Sequence, residues 1–163
     1  MNDSQHDAQP LVVFTVAEQQ FALPLPAVER ILRTVEVTPL PGAADGVLGV
    51  IDVQGQIVPV ISLRTKFGYP QRPLDLDEHL ILARTTRRSV ALVVDSVSGV
   101  LECARQDMTS GEGILPGIEY EWVARSAEGM ILVQNLDRLL SLEVESTLEA
   151  ALPAPELIAA GRS

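Results

Sequence analysis

Two apolar runs, Val47–Val53 and Ile57–Leu63, flank the three residues Gln54-Gly55-Gln56. Short runs rich in Val and Ile, joined by a tight glycine-containing turn, read as a β-hairpin. Gly55 supplies the φ > 0 position that such a turn requires. Apolar residues are nearly continuous on both sides of the turn. These strands are therefore expected to be buried on more than one face.

The hairpin logic recurs along the chain. Leu11–Val16 and Phe21–Leu25 flank Glu18-Gln19-Gln20, and Pro24 and Pro26 close the second run. Leu80–Arg84 and Ser89–Asp95 flank the polar turn Thr85–Arg88, and Val97–Cys103 follows. Ile118–Arg125 and Met130–Val133 flank Ala127-Glu128-Gly129. Helix is scarce. Ala27–Arg33 reads as a short helix near residue 30, with Val28, Ile31 and Leu32 on one face and Glu29, Arg30 and Arg33 on the other. Asn135–Leu140 and Glu143–Leu152 read as C-terminal helices. Val35–Leu40 alternates apolar and polar residues before the loop at Pro41-Gly42.

Roughly ten short strands at regular spacing predict an all-β sandwich or barrel. Gly68–Glu78, broken by Pro70 and Pro73, interrupts the pattern and divides it into two sets. We expect one domain over 11–150, with one small barrel over about 11–70, a second over about 78–140 and a helix over about 143–152. Residues 1–10 and 153–163 are expected to be flexible tails. Each half, ~60–70 residues, would have a marginal core alone, so a shared interface is expected. The core is aliphatic: 22 Leu, 19 Val and 9 Ile against six aromatic residues in a chain of 163. The β-branched share favours strands.

Twelve basic residues against 22 acidic ones give a net charge of -10. That disfavours nucleic acid, whose phosphates need a basic surface, and docking on an anionic membrane. Residues 64–105 are the exception, with Arg64, Lys66, Arg72, Arg84, Arg87 and Arg88; a solvated face accounts for them more readily than a docking patch for an acidic partner. No apolar run reaches the ~18 residues of a membrane span, and Met1–Pro10 lacks a signal-peptide pattern. A cytoplasmic protein is expected.

Convergent catalytic groups are missing from the pattern. His6 near Asp3 and Asp7 sits in a tail that would have to be ordered to hold a metal. His79 has no second ligand at metal spacing. Cys103, the single cysteine, cannot form an internal disulfide and reads as a small buried hydrophobe, although Arg105 two residues on would share its strand face. Ser62 and Ser96 lack a nucleophile elbow. Asp75, Asp77 and Glu78 lack the length and glycine of a calcium loop. Gly111 and Gly113 open no phosphate loop. Trp122 reads as a cover over a barrel end sooner than as a binding anchor. No catalytic residue, metal or cofactor is expected.

The stretch Val37-Thr38-Pro39-Leu40-Pro41-Gly42, then Val47-Leu48-Gly49-Val50-Ile51, then Gln54 to Ile61 and Leu63, resembles the CheW family of bacterial chemosensory adaptors. Ala91–Val97, Gly99-Val100-Leu101, Met130–Val133 and Leu136–Leu140 extend the resemblance over Leu11–Leu140. It implies two SH3-like five-stranded barrels around a common core and no catalytic activity. It implies two partners, the cytoplasmic tip of a methyl-accepting chemoreceptor and the regulatory domain of a CheA-type histidine kinase, with other CheW-like proteins as further ones. Carried over by position, the receptor groove comprises Val28, Arg30, Gln54, His79, Val97 and Val100. The kinase-facing surface comprises Leu40, Val47, Leu48 and Gly49. For each apolar residue among them, plain core packing competes with a contact role.

Two departures stand out. The family turn usually reads Asn-Leu-Arg-Gly, whereas this chain has Asp52-Val53-Gln54-Gly55, and Arg30 stands where the family commonly has an acid. Glutamine cannot replace the fixed donor fork of arginine. The implied role is a specialised adaptor. The alternatives are a ring-forming or decoy module that binds kinase or adaptors but no receptor, and, from another class, a small-molecule-binding barrel.

Overall fold

The computed structural model describes residues 8–33, 35–43, 46–70, 78–111 and 122–140. Its strands are β1 (Ala8–Val16), β2 (Gln19–Pro24), β3 (Val28–Arg33), β4 (Val47–Val53), β5 (Gln56–Ser62), β6 (His79–Arg84), β7 (Ser89–Val94), β8 (Ser96–Ala104), β9 (Met108–Ser110), β10 (Trp122–Ser126) and β11 (Gly129–Val133). Two one-turn helices are described, α1 (Leu63–Lys66) and α2 (Leu136–Leu139). Their caps are readable in sequence: the Ser62 hydroxyl accepts from the Thr65 amide, and the Asn135 side chain from the Arg138 amide.

The strands form two sheets. One runs β8-β1-β2-β11-β10-β9 and the other β3-β6-β7-β5-β4. In the second, Thr38 bridges Val50 on β4, so the chain leaving β3 reaches the far edge of its own sheet. In the first, the two edge strands β8 and β9 are joined only by the 3-10 turn Arg105–Asp107. Each sheet thus curls toward a small barrel.

Period-two alternation sorts the buried side chains into three clusters. On β7, Val90, Leu92 and Val94 face one cluster while Ala91 and Val93 face another. On β1, Phe14 and Val16 point one way, Leu11 and Val13 the other. Leu11, Val13, Ala22, Cys103, Ala124, Ile131 and Val133 fill the six-stranded barrel. Ile51, Val58, Val60, Leu80, Leu82, Ala91 and Val93 fill the five-stranded one. The third and largest cluster lies between them and joins Phe14, Phe21 and Leu23 of one sheet to Ile61, Ile81, Leu92 and Val94 of the other. That is the shared core expected of two barrels too small to stand alone.

One ion pair ties the sheets from the side. The Arg64 guanidinium donates twice to the Asp95 carboxylate, at 2.9 and 3.3 Å. Asp95 also accepts from the Ala17 amide at 2.8 Å and donates its own amide to the Thr15 carbonyl at 2.9 Å. α1 is thereby held to the β1–β2 turn.

Four sequence expectations change. Val28–Arg33 is a strand, not a short helix near residue 30; the preceding turn, Leu25–Ala27, is the only helical piece there. Six residues gain little as an isolated helix, whereas β6 offers them a ladder. The N-terminal tail ends earlier than 10, because Ala8, Gln9 and Pro10 pair with Ala104, Cys103 and Glu102. Pro10 lies beyond the end of β2, where β1 has one neighbour only. The division at 68–78 does not separate the sheets. β1 and β2 join β8–β11, and β6 and β7 join β3–β5, through the parallel pairs β2–β11 and β5–β7. One sheet accordingly has six strands in place of five. The helix expected over 143–152 and the tail over 153–163 lie outside the described residues.

Candidate functional site

β3 and β8 are both edge strands, each beside the shared core, and each carries a register break. On β3, Val28 faces Ala83 and Arg30 faces Leu82, so Glu29 is the extra residue. On β8, Val97 faces Phe14 and Gly99 faces Val13, so Ser98 is the extra residue. A bulge shifts strand parity by one, so residues three apart fall on one face. Val28 and Ile31 therefore share a face, as do Val97 and Val100.

That face is the side of the shared core. Val28 and Val97 both pack against it. Ile31 stands opposite Ile81, which belongs to it, and Val100 stands opposite Val12, whose neighbour on β2 is the core residue Leu23. Ile31 and Val100 are 38% and 61% exposed. Exposure this large, beside a buried cluster drawn from both barrels, leaves an apolar margin at the surface. Leu25, 38% exposed in the turn before β3, adds to it.

The remaining residues of the expected groove divide. His79 is on the groove side: it stands opposite Arg33 on β3 and opposite the core residue Val94 on β7. Arg30 is exposed but stands opposite Leu82 and shares parity with Leu32, both on the barrel side of β3. Gln54 is exposed at the tip of the β4–β5 hairpin, with φ values of 51° at Gln54 and 89° at Gly55. The Asp52 carboxylate accepts from the Gly55 amide at 2.7 Å and fixes this turn. The antiparallel Thr38–Val50 bridge points the tip back along the chain toward the end of β3.

The expected kinase-facing residues are largely engaged in packing. Val47 packs on the shared core and Leu48 on the five-stranded barrel's cluster. Gly49 is buried beneath Thr38 and Pro39. Leu40 is partly buried.

Sequence reasoning missed Ile31 as an exposed contact and Arg33 altogether. A helical period put Arg33 with Arg30, on the face away from Val28. The strand period with one bulge reverses this and puts Arg33 beside Ile31 and opposite His79. Glycine was no guide to the break at Glu29, and the only local signal was the pair of prolines before it.

Chemistry elsewhere is spare. Cys103 is buried in the six-stranded barrel, and burial, then the Asp107 charge, pushes its thiol pKa up. Trp122 packs on the same cluster. Ser62 is spent on the α1 cap. Glu78 is buried. His6, Asp75 and Asp77 lie outside the described residues. Among the described residues no three His, Cys, Asp or Glu side chains gather as a metal site, and no helix is long and apolar enough to cross a membrane.

The fold defines a two-barrel all-β domain with exposed apolar side chains on edge strands beside its shared core. The chain belongs to the family of CheW-like domains, whose model matches residues 10–144. It is 29% identical over 150 residues to the chemotaxis protein CheW of Rhizobium meliloti, covering 92% of this chain and 91% of that one. It is 30% identical over 139 residues to a probable chemotaxis protein CheW of Rhizobium etli, covering 83% and 89%. The crystal structure of the scaffolding protein TtCheW from Thermoanaerobacter tengcongensis matches the fold with a TM-score of 0.76 at 24% identity, over 84% of this chain and 95% of that one. CheW proteins are non-enzymatic scaffolds that couple receptors to the kinase CheA in chemotaxis, and membership gives this chain the adaptor role.

Proposed function

We propose that this chain is a cytoplasmic, non-catalytic adaptor that holds the cytoplasmic tip of a methyl-accepting chemoreceptor in the margin between its barrels and the regulatory domain of a CheA-type histidine kinase on its five-stranded barrel. The observation that carries the receptor half is the matched pair of bulged edge strands. They expose Ile31 and Val100 from two different sheets at the rim of one core. A helix laid in such a margin gains apolar anchors on both sides. Leu40, which belongs to neither barrel cluster, and the hairpin bearing Gln54 are among the accessible parts of the kinase and receptor surfaces carried over from the family.

Titration of the full chain against the cognate receptor tip and, separately, the kinase regulatory domain tests the assignment. Binding to both supports it. Binding to the kinase alone supports the ring or decoy role, which the neutral Gln54 favours. Binding to neither removes the adaptor reading.

A further inference from the structure

We infer that the receptor-facing margin is selective for a partner helix bearing a carboxylate, and that Arg33, paired across the ladder with His79, is the residue that reads it. The inference rests on the adaptor reading and adds the chemistry of the docked partner. Arg33 and His79 stand directly opposite each other on β3 and β6, on the face that also carries Val28 and Ile31. Directly opposed side chains on one face of a sheet lie close enough to act on one ligand group. Arg33 is exposed at the free edge. Among the described residues it has no ion pair. His79 is partly buried, and its Nδ1 is buried without a hydrogen-bond partner among the described residues.

Glu29, on the same strand, is engaged elsewhere. The Glu29 carboxylate accepts from the Ser89 hydroxyl at 2.6 Å, at the bulge and away from Arg33. Glu78 is buried. Arg33 therefore offers an exposed guanidinium fork on an apolar rim, in a chain whose net charge is -10. A carboxylate meets the fork with two charge-assisted hydrogen bonds. An apolar helix stripe beside that carboxylate would cover Ile31 and Val28. A cationic partner would be repelled, so the pair also sets specificity.

The test is titration of the full chain, as wild type, Arg33→Glu, Arg33→Gln and Ile31→Asp, against the receptor tip. The kinase regulatory domain and a thermal melt serve as controls for folding. The expected result is a loss of at least about tenfold in tip affinity for Arg33→Glu, a smaller loss for Arg33→Gln, and unchanged kinase affinity. Reversing the tip carboxylates one at a time to lysine should restore binding to Arg33→Glu at one position. If Ile31→Asp abolishes tip binding but both Arg33 variants bind as wild type does, this inference is overturned and the adaptor reading stands. If the wild-type chain does not bind the tip at all, the reading falls and the inference falls with it.

Discussion

Replacing Gly49 by alanine should destabilise the domain by about 2–5 kcal/mol, and the size of the effect can be worked from its neighbours. Gly49 has φ +152°, and a Cβ built there would lie 2.1 Å from the Thr38 carbonyl oxygen and 2.9 Å from Pro39 Cα. Ordinary contact begins near 3.4 Å, so Thr38 must retreat by the difference between 3.4 and 2.1 Å. Both obstacles are backbone atoms, so no side chain can swing aside. The retreat breaks the reciprocal Thr38–Val50 hydrogen bonds of 2.9 and 2.8 Å, each worth about 0.5–1.5 kcal/mol net. The backbone conformation adds about 1–2 kcal/mol for any side chain. Gly99→Ala isolates that last contribution, because Gly99 has φ +125° and nothing within 4 Å of its Cβ. Urea melts of wild type and both variants decide the matter. With m of about 2 kcal/mol/M, Gly49→Ala should lower the midpoint by about 1–2.5 M, and Gly99→Ala by about 0.5–1 M. Equal midpoints for the two variants would refute the close-approach argument.

Three further outcomes follow from the core, the ion pair and the thiol. Leu92→Ala, at the centre of the shared cluster, should cost about 2–5 kcal/mol, and near- and far-ultraviolet circular dichroism should still report one coincident transition, because both barrels lean on that cluster. Asp95→Asn should cost about 1–3 kcal/mol by leaving the Arg64 guanidinium and Ala17 amide poorly matched, and Arg64→Ala in the same background should add little further loss in a double-mutant cycle. Cys103 keeps its proton longer when folded than when unfolded. Stability should therefore hold level below pH 9.0, the thiol's ordinary value, and fall as the pH rises beyond it, whereas Cys103→Ala should remove this slope; an alkaline slope identical in both would show that other groups cause it.

The strands were legible wherever the apolar period was two and a turn residue followed. The β4–β5 hairpin is the clearest case, because Gly55 and the alternation agree. β3 was not legible. Val28, Ile31 and Leu32 satisfy a helical stripe as well as a bulged strand over six residues, and the deciding factor is the ladder offered by β6, some fifty residues away in sequence. The sheet exchange was hidden for the same reason. Pairing of β2 with β11 and of β5 with β7 is set by which faces can be buried together, and no local residue announces it. Pro59 carries a faint trace: it sits in β5 just before the ladder to β7 begins at Val60, where its missing N–H breaks no pairing.

The charge pattern of the margin depends on this one strand. With Val28–Arg33 helical, the cation near the groove would be Arg30, standing where the family commonly has an acid. As a bulged strand, β3 turns Arg30 toward the barrel side and brings Arg33 to the margin beside Ile31. The hairpin tip that usually presents arginine presents Gln54. A guanidinium is therefore lost from the tip and supplied from the edge of β3, so the charge is moved along the rim and not removed from it. A partner that meets arginine through a carboxylate could keep that chemistry with its carboxylate shifted along the helix. On the proposed reading this is an adaptor matched to its own receptor and not one that has given up receptor binding, and the Arg33 charge-reversal series separates the two.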